Sequence, residues 1–206
     1  MKHLVRALSR NIRTNVIHFT PYENLKGIAK HGIIPRSRFP KELHRVCPDD
    51  SRLDNLCQYN CFTLSFPNYR MLYKYHKEKP FVVLAIDIAV LKQECLSDVL
   101  FFHSNASKGD YRFFGPSEFR GLAAVQSMFV PEGRYCDLPS NYTTDPQAEV
   151  MIEQIIPPKY ITDVYFDPRD RQRGASCDKT NVFKAIAKES ADYFFPRQDW
   201  EIWQKE

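Results

Sequence analysis

Seven of the eight residues in Phe81-Val82-Val83-Leu84-Ala85-Ile86-Asp87-Ile88 are apolar, and they do not alternate with polar ones. A run this short and this rich in β-branched residues has apolar side chains on both faces, so it reads as a strand covered on both sides. It predicts the central strand of a sheet. Around it, prolines punctuate further strand patterns: Val16 to Thr20 closed by Pro21, Cys61 to Phe66 closed by Pro67, Val150 to Ile156 closed by Pro157-Pro158, and Tyr160 to Phe166 as the last.

Helical spacing recurs between these strands. Glu23 to His31 reads as a helix with Leu25, Ile28 and Ala29 inward and Gly32 as its C-cap, and Asn68 to His76 as one with Pro67 at the first helical position. Leu91 to Leu100, Leu122 to Phe129 and Thr180 to Phe194 are expected to be helical, as is an amphipathic, basic stretch from Leu4 to Ile12. No internal repeat is visible. With 206 residues, 43% of them apolar, one domain over 1–206 is expected.

Six cysteines are present at 47, 57, 61, 95, 136 and 177. They form no C-x-x-C pair and no second Cys/His pair at finger spacing, so neither a metal site nor a disulfide scaffold is expected. The longest apolar run, Phe81 to Leu91, is broken by Asp87 and is too short for a membrane span. A reducing, cytoplasmic home fits these features. The formal charge of +4 permits a nucleic-acid partner without demonstrating one.

Candidate site residues come from four places. Period two puts His18 and Thr20 on one strand face, where a ring nitrogen and a hydroxyl make a cradle for a ribose or a carboxamide; a lone histidine there is more often structural. The polar stretch from Pro35 to Asn60 carries Arg36, Arg38, Arg45 and Arg52, which suit phosphates if the loop is ordered. Phe101 to Phe119 mixes aromatic residues with Lys108 and Arg112, a pattern suited to single-stranded nucleic acid and equally to a packed loop. Finally, Glu149 opens the strand that follows the turn-rich residues Tyr135, Asn141 and Tyr142. A carboxylate there is more often solvated than catalytic, but at a strand's mouth it can meet developing positive charge.

Taken in order, Val16-Ile17-His18-Phe19-Thr20 with Asn24-Leu25, His31-Gly32, Arg52-Leu53-Asp54, Leu64-Ser65-Phe66-Pro67-Asn68-Tyr69-Arg70-Met71 and Gln147-Ala148-Glu149 resemble the DarT family. Those are toxins that transfer ADP-ribose from NAD+ to a base in single-stranded DNA. The resemblance covers about Asn15 to Phe166. It implies an α+β fold of the ADP-ribosyltransferase type, a split β-sheet with flanking helices and long substrate loops.

It further implies NAD+ as co-substrate, without a metal, and Glu149 and Arg52 as catalytic residues. His18, Thr20, Asn24, Arg52, Ser65 and Tyr69 would hold NAD+, and Lys108, Arg112, Tyr135, Asn141 and Tyr142 would meet the DNA. The family's partner would be an antitoxin ADP-ribosyl hydrolase, a macrodomain or similar, acting on the product of a monomeric, membrane-free enzyme. Thymine-modifying members have a Tyr/Phe-rich strand followed by Pro-Arg, whereas Ser65 to Met71 is closer to the guanine-modifying branch. Acceptors in RNA or protein, and a non-catalytic nucleic-acid-binding module, are the competing readings.

Overall fold

The computed structural model describes residues 15–43, 45–47, 54–92, 99–108, 111, 113–131, 137–171, 183 and 186–204. Strands β1 (Asn15–Pro21), β2 (Asn60–Leu64), β3 (Phe81–Asp87), β4 (Val99–Phe102), β5 (Glu149–Ile152), β6 (Ile161–Phe166) and β7 (Ala187–Glu189) form one sheet. Its order is β4-β5-β2-β1-β3-β6-β7. The helices are α1 (Leu25–His31), α2 (Tyr69–His76) and α3 (Gly121–Ser127). Together they make the expected α+β fold.

β3 behaves as its composition requires. It pairs antiparallel with β1 along its whole length and with β6 on its other edge. Val82, Leu84 and Ile86 enter one core with Val16, Phe62, Leu64, Val150 and Val164, which Leu25 and Ile28 of α1 and Ala124 and Val125 of α3 cover. Phe81, Val83 and Ala85 face the opposite side, against Ile17, Leu72 of α2 and Phe194. Each fully buried aliphatic or aromatic side chain here contributes about 1.5–3 kcal/mol, so a two-faced strand anchors the sheet.

Gly32 ends α1 as expected. Its φ is +80° and its N–H donates to Ile28 O at 2.8 Å. A Cβ at this position would lie 2.3 Å from Ile156 O, so only glycine lets Ile33 bridge to Ile156 and bring the end of α1 against the exit from β5.

Four expectations are corrected. β2 stops at Leu64, because Ser65 takes φ +63° and turns the chain before Phe66. Asn68, not Pro67, starts α2: its Oδ1 accepts the Met71 N–H at 3.3 Å, which leaves Pro67 outside the helix. The helix expected from Leu91 to Leu100 is instead the end of a 3-10 turn, Ile88–Lys92, and the start of β4, whose residues pair with β5. Within the helix expected from Thr180 to Phe194, Ala187–Glu189 pairs parallel with β6 and Asp192–Phe194 is a 3-10 turn, so β6 is not the last strand. In this last case the open edge of β6 overrides a weak helical pattern. The basic stretch Leu4 to Ile12 lies outside the described residues, as do residues 93–98.

Candidate active site

The site lies where the sheet opens. β1 and β2 pair only at Val16 with Leu64 and Ile17 with Thr63, and then diverge. Beyond that point a side chain spans the gap: His18 Nδ1 lies 2.9 Å from Cys61 O, and its ring sits 5.3 Å from that of Phe62. A carbonyl only accepts, so Nδ1 carries the proton and neutral His18 presents Nε2 as an acceptor. Burial pushes the His18 pKa down to about 4, with the Arg45 charge acting in the same direction, so the ring is neutral at pH 7.

A cavity of about 440 Å³ fills the opening, lined by residues 17–21 on one side and 59–63 on the other. A second cavity of about 340 Å³ adjoins it beside α1, and the two share His18, Thr20, Asn24 and Arg45. Asn24 organises this wall. Its Nδ2 donates to Thr20 Oγ1 at 2.9 Å and to Val46 O at 2.8 Å, and its Oδ1 accepts the Val46 N–H at 2.9 Å.

Glu149 also lines the larger cavity. It is the first residue of β5, in register with Phe102 of β4, and only 7% exposed. Its Oε2 accepts the Ala106 N–H at 2.8 Å. The carboxylate is therefore fixed in the wall of the cleft and is not a solvated edge group.

The cavity thus gathers His18, Thr20, Asn24 and Glu149 from the sequence-based set. Ser65 and Tyr69 are buried but do not line it. Burial raises the Tyr69 pKa to about 12, with the Asp199 charge adding to it. Arg52, Arg112 and Tyr135 lie outside the described residues.

Sequence reasoning missed Asn60 and Asn68. Asn60 Nδ2 donates to Ile33 O at 3.2 Å and Gln154 O at 3.1 Å, which ties the mouth of β2 to both neighbouring segments. Asn68 caps α2 while its Nδ2, buried against the cavity, has no hydrogen-bond partner among the described residues. Helix-start spacing in Phe66-Pro67-Asn68-Tyr69 was the available signal for it.

Next to Glu149 the surface changes character. Rings run outward from β4: Phe102 lies 4.4 Å from Phe119 and 5.2 Å from Tyr111, and Phe114 lies 6.3 Å from Phe119. Phe113 is 88% exposed and Phe114 56%. Lys108, itself 46% exposed, reaches within 3.8 Å of Asp145. Asn141 and Tyr142 are half-buried, and the Tyr142 ring packs 5.3 Å from Phe66.

Among the described residues, His76, Asp167 and Asp170 are the group that has metal-ligand geometry. The donor set does not favour an ion. His76 Nδ1 accepts the Phe81 N–H at 3.1 Å, so in the neutral ring Nε2 carries a proton, which it donates to Asp167 at 2.8 Å. Arg169 holds the same carboxylate. These bonds pin α2 to the end of β6.

The sheet is thus split between two adjacent strands, with a buried carboxylate at the mouth of a third. The profile of DarT, described as ssDNA thymidine ADP-ribosyltransferase, matches residues 17–195, and the chain belongs to that family. Solved structures share the fold at low identity. Thermus sp. 2.9 DarT in complex with NAD+ is 14% identical, with a TM-score of 0.54 over 89% of this chain and 98% of that one.

The same Thermus protein in complex with ADP-ribosylated ssDNA is 16% identical, with a TM-score of 0.56 over 89% of this chain and 97% of that one. Thermosipho africanus DarTG in complex with ADP-ribose is 17% identical, with a TM-score of 0.55 over 88% of this chain. This chain spans about half, 51%, of the Thermosipho one. No curated protein matches the sequence. Among the described residues, no helix is long and apolar enough to cross a membrane.

Proposed function

We propose that the cleft binds NAD+ and transfers its ADP-ribose to a base of single-stranded DNA, with Glu149 as the catalytic carboxylate. The observation that carries this is the placement of Glu149, buried, fixed by the Ala106 N–H and facing a cavity whose other wall is His18, Thr20 and Asn24. The adjoining chambers suit a dinucleotide, one nucleotide in each. Arg36 and Arg45 line the larger chamber and are placed to meet the diphosphate, a role Arg52 would share. His18 Nε2 is an acceptor for a ribose hydroxyl or the carboxamide, and Asn68 Nδ2, without a partner among the described residues, is a donor to the carboxamide oxygen.

The chemistry follows from the charges. The bond from the ribose anomeric carbon to the pyridinium nitrogen breaks, its electron pair passes to the ring, and neutral nicotinamide leaves. The ribose becomes oxocarbenium-like, and the Glu149 carboxylate stabilises it. A base nitrogen then bonds to the anomeric carbon and its proton passes to Glu149. The Thermus complexes with NAD+ and with ADP-ribosylated ssDNA support this pair of partners.

The exposed rings on the surface that runs outward from β4 suit unstacked bases, and Lys108 suits a phosphate. Arg112, Tyr135, Asn141 and Tyr142 complete the DNA side in this reading. Thymine is the base in the family description, while the Ser65 to Met71 segment points to guanine. The product calls for an opposing ADP-ribosyl hydrolase, a macrodomain or similar, and the DarTG complex with ADP-ribose supports such a partner. The same reading makes the chain a cytoplasmic monomer.

The test is incubation with NAD+ and single-stranded oligonucleotides, duplexes, RNA and protein in parallel. Nicotinamide release with an ADP-ribosyl adduct on the single strand is expected, and mass spectrometry of its nucleosides names the base. Adducts confined to RNA or protein, or no nicotinamide release with any acceptor, would overturn the proposal.

A further inference from the structure

The family match ends at residue 195, yet the segment that follows packs back onto the loop that delivers Glu149. Arg197 is 2% exposed, and its whole fork is engaged. Nη1 donates to Thr143 O and Nη2 to Thr144 O, both at 2.9 Å, while Nε donates to Asp199 Oδ1 at 2.8 Å and Nη2 also meets the Asp199 carboxylate. Trp203 Nε1 donates to Asp199 at 3.1 Å and holds that carboxylate from behind.

On the other side, the loop is folded into a compact knot. Thr143 Oγ1 donates to Asp145 O at 2.8 Å, the Thr144 N–H to Met128 O at 2.8 Å, and the Gln147 N–H to Asp145 Oδ1 at 2.7 Å. The Ala148 N–H returns to Asp145 O at 3.1 Å, one residue before Glu149. Thr143 and Thr144 are both buried. Without a donor from outside the knot, their carbonyls would stay unpaired, and that cost would drive the loop to rearrange.

We infer that Arg197 is a positioning residue for Glu149, setting the height of the carboxylate in the cleft by clamping Thr143 and Thr144. Arg197 does not line the cavity, so it acts on NAD+ through the loop and not by contact. The Ala106 N–H holds the carboxylate itself, and the clamped knot holds the backbone that leads to it. Lysine would keep the charge but not the planar fork that serves two carbonyls and a carboxylate together. The inference rests on the catalytic role proposed for Glu149.

Arg197→Lys tests it, with wild type alongside and thermal unfolding recorded for both. Transfer by wild type establishes the reaction first; if wild type neither transfers nor releases nicotinamide, the proposed function fails and not the clamp. In an active system, Arg197→Lys is expected to lower kcat about 100-fold with KM for NAD+ unchanged, the signature of a misplaced catalytic group. Guanidinium ion added to Arg197→Ala is expected to restore part of kcat. A folded Arg197→Lys with wild-type kcat, whatever its melting temperature, would overturn the inference. Should that variant fail to fold, Asp199→Asn decides: it slackens the fork while keeping the packing, and an undiminished kcat there overturns the inference equally.

Discussion

The two walls of the cleft differ in how their polar groups are settled. On the β1 and β2 side Thr20, Asn24 and Asn60 are buried and already bonded to one another or to the backbone, and His18 bridges the split. On the β4 side, beyond the cavity lining, the surface offers Phe113, Phe114 and the Lys108 ammonium to solvent. A wall that meets the same dinucleotide at each turnover gains from being built in advance. One that meets strands of varying sequence gains from stacking faces, which accept any base. Glu149 stands between them, on β5.

This contrast can be broken most forcefully, outside the carboxylate itself, at His18. Its pKa is about 4 in the fold against an ordinary 6.5, because burial disfavours the charged ring. The unfolded chain therefore binds the proton first as pH falls. Stability from the neutral ring is whole above pH 6.5 and is lost as pH drops through 4, by on the order of 2 kcal/mol after allowing for partial exposure. Urea unfolding at a series of pH values should show this loss in wild type and a shallower one in His18→Gln. Equal slopes would mean that the wall is not held by a neutral His18.

A smaller effect sharpens the contrast from the other side. Phe113→Ala should raise KM for a single-stranded oligonucleotide about 10-fold, the worth of one stacked base, and leave KM for NAD+ alone. Steady-state kinetics with each substrate varied in turn checks this. A change in KM for NAD+, or none for the oligonucleotide, would contradict the division between the walls.

The frame of the molecule was legible where a pattern is long and local. β3 follows from seven apolar residues in eight, and α1 from its spacing and its terminal glycine. β4 is four apolar residues, too few to carry a period, and β7 is Ala187-Lys188-Glu189, which has no strand pattern and forms because β6 leaves an edge open.

At the site, His18, Thr20 and Glu149 were readable because each sits on or beside a recognisable strand or turn, while Asn24 came only with the family resemblance. Ser65 escaped alternation because a positive φ ends the strand just before it. Asn60 acts through Ile33 and Gln154, and Arg197 through Thr143 and Thr144, partners 27 to 94 residues away that no local pattern reveals.

The central claim is that one carboxylate serves both walls, and Glu149→Gln tests it most directly. The amide keeps the size of the side chain and removes the charge. Calorimetric titration with NAD+, run beside transfer to a single-stranded oligonucleotide, should show binding like that of wild type and transfer about 1,000-fold slower. Transfer at the wild-type rate would remove Glu149 from the chemistry, and loss of NAD+ binding in step with transfer would make it a binding group instead.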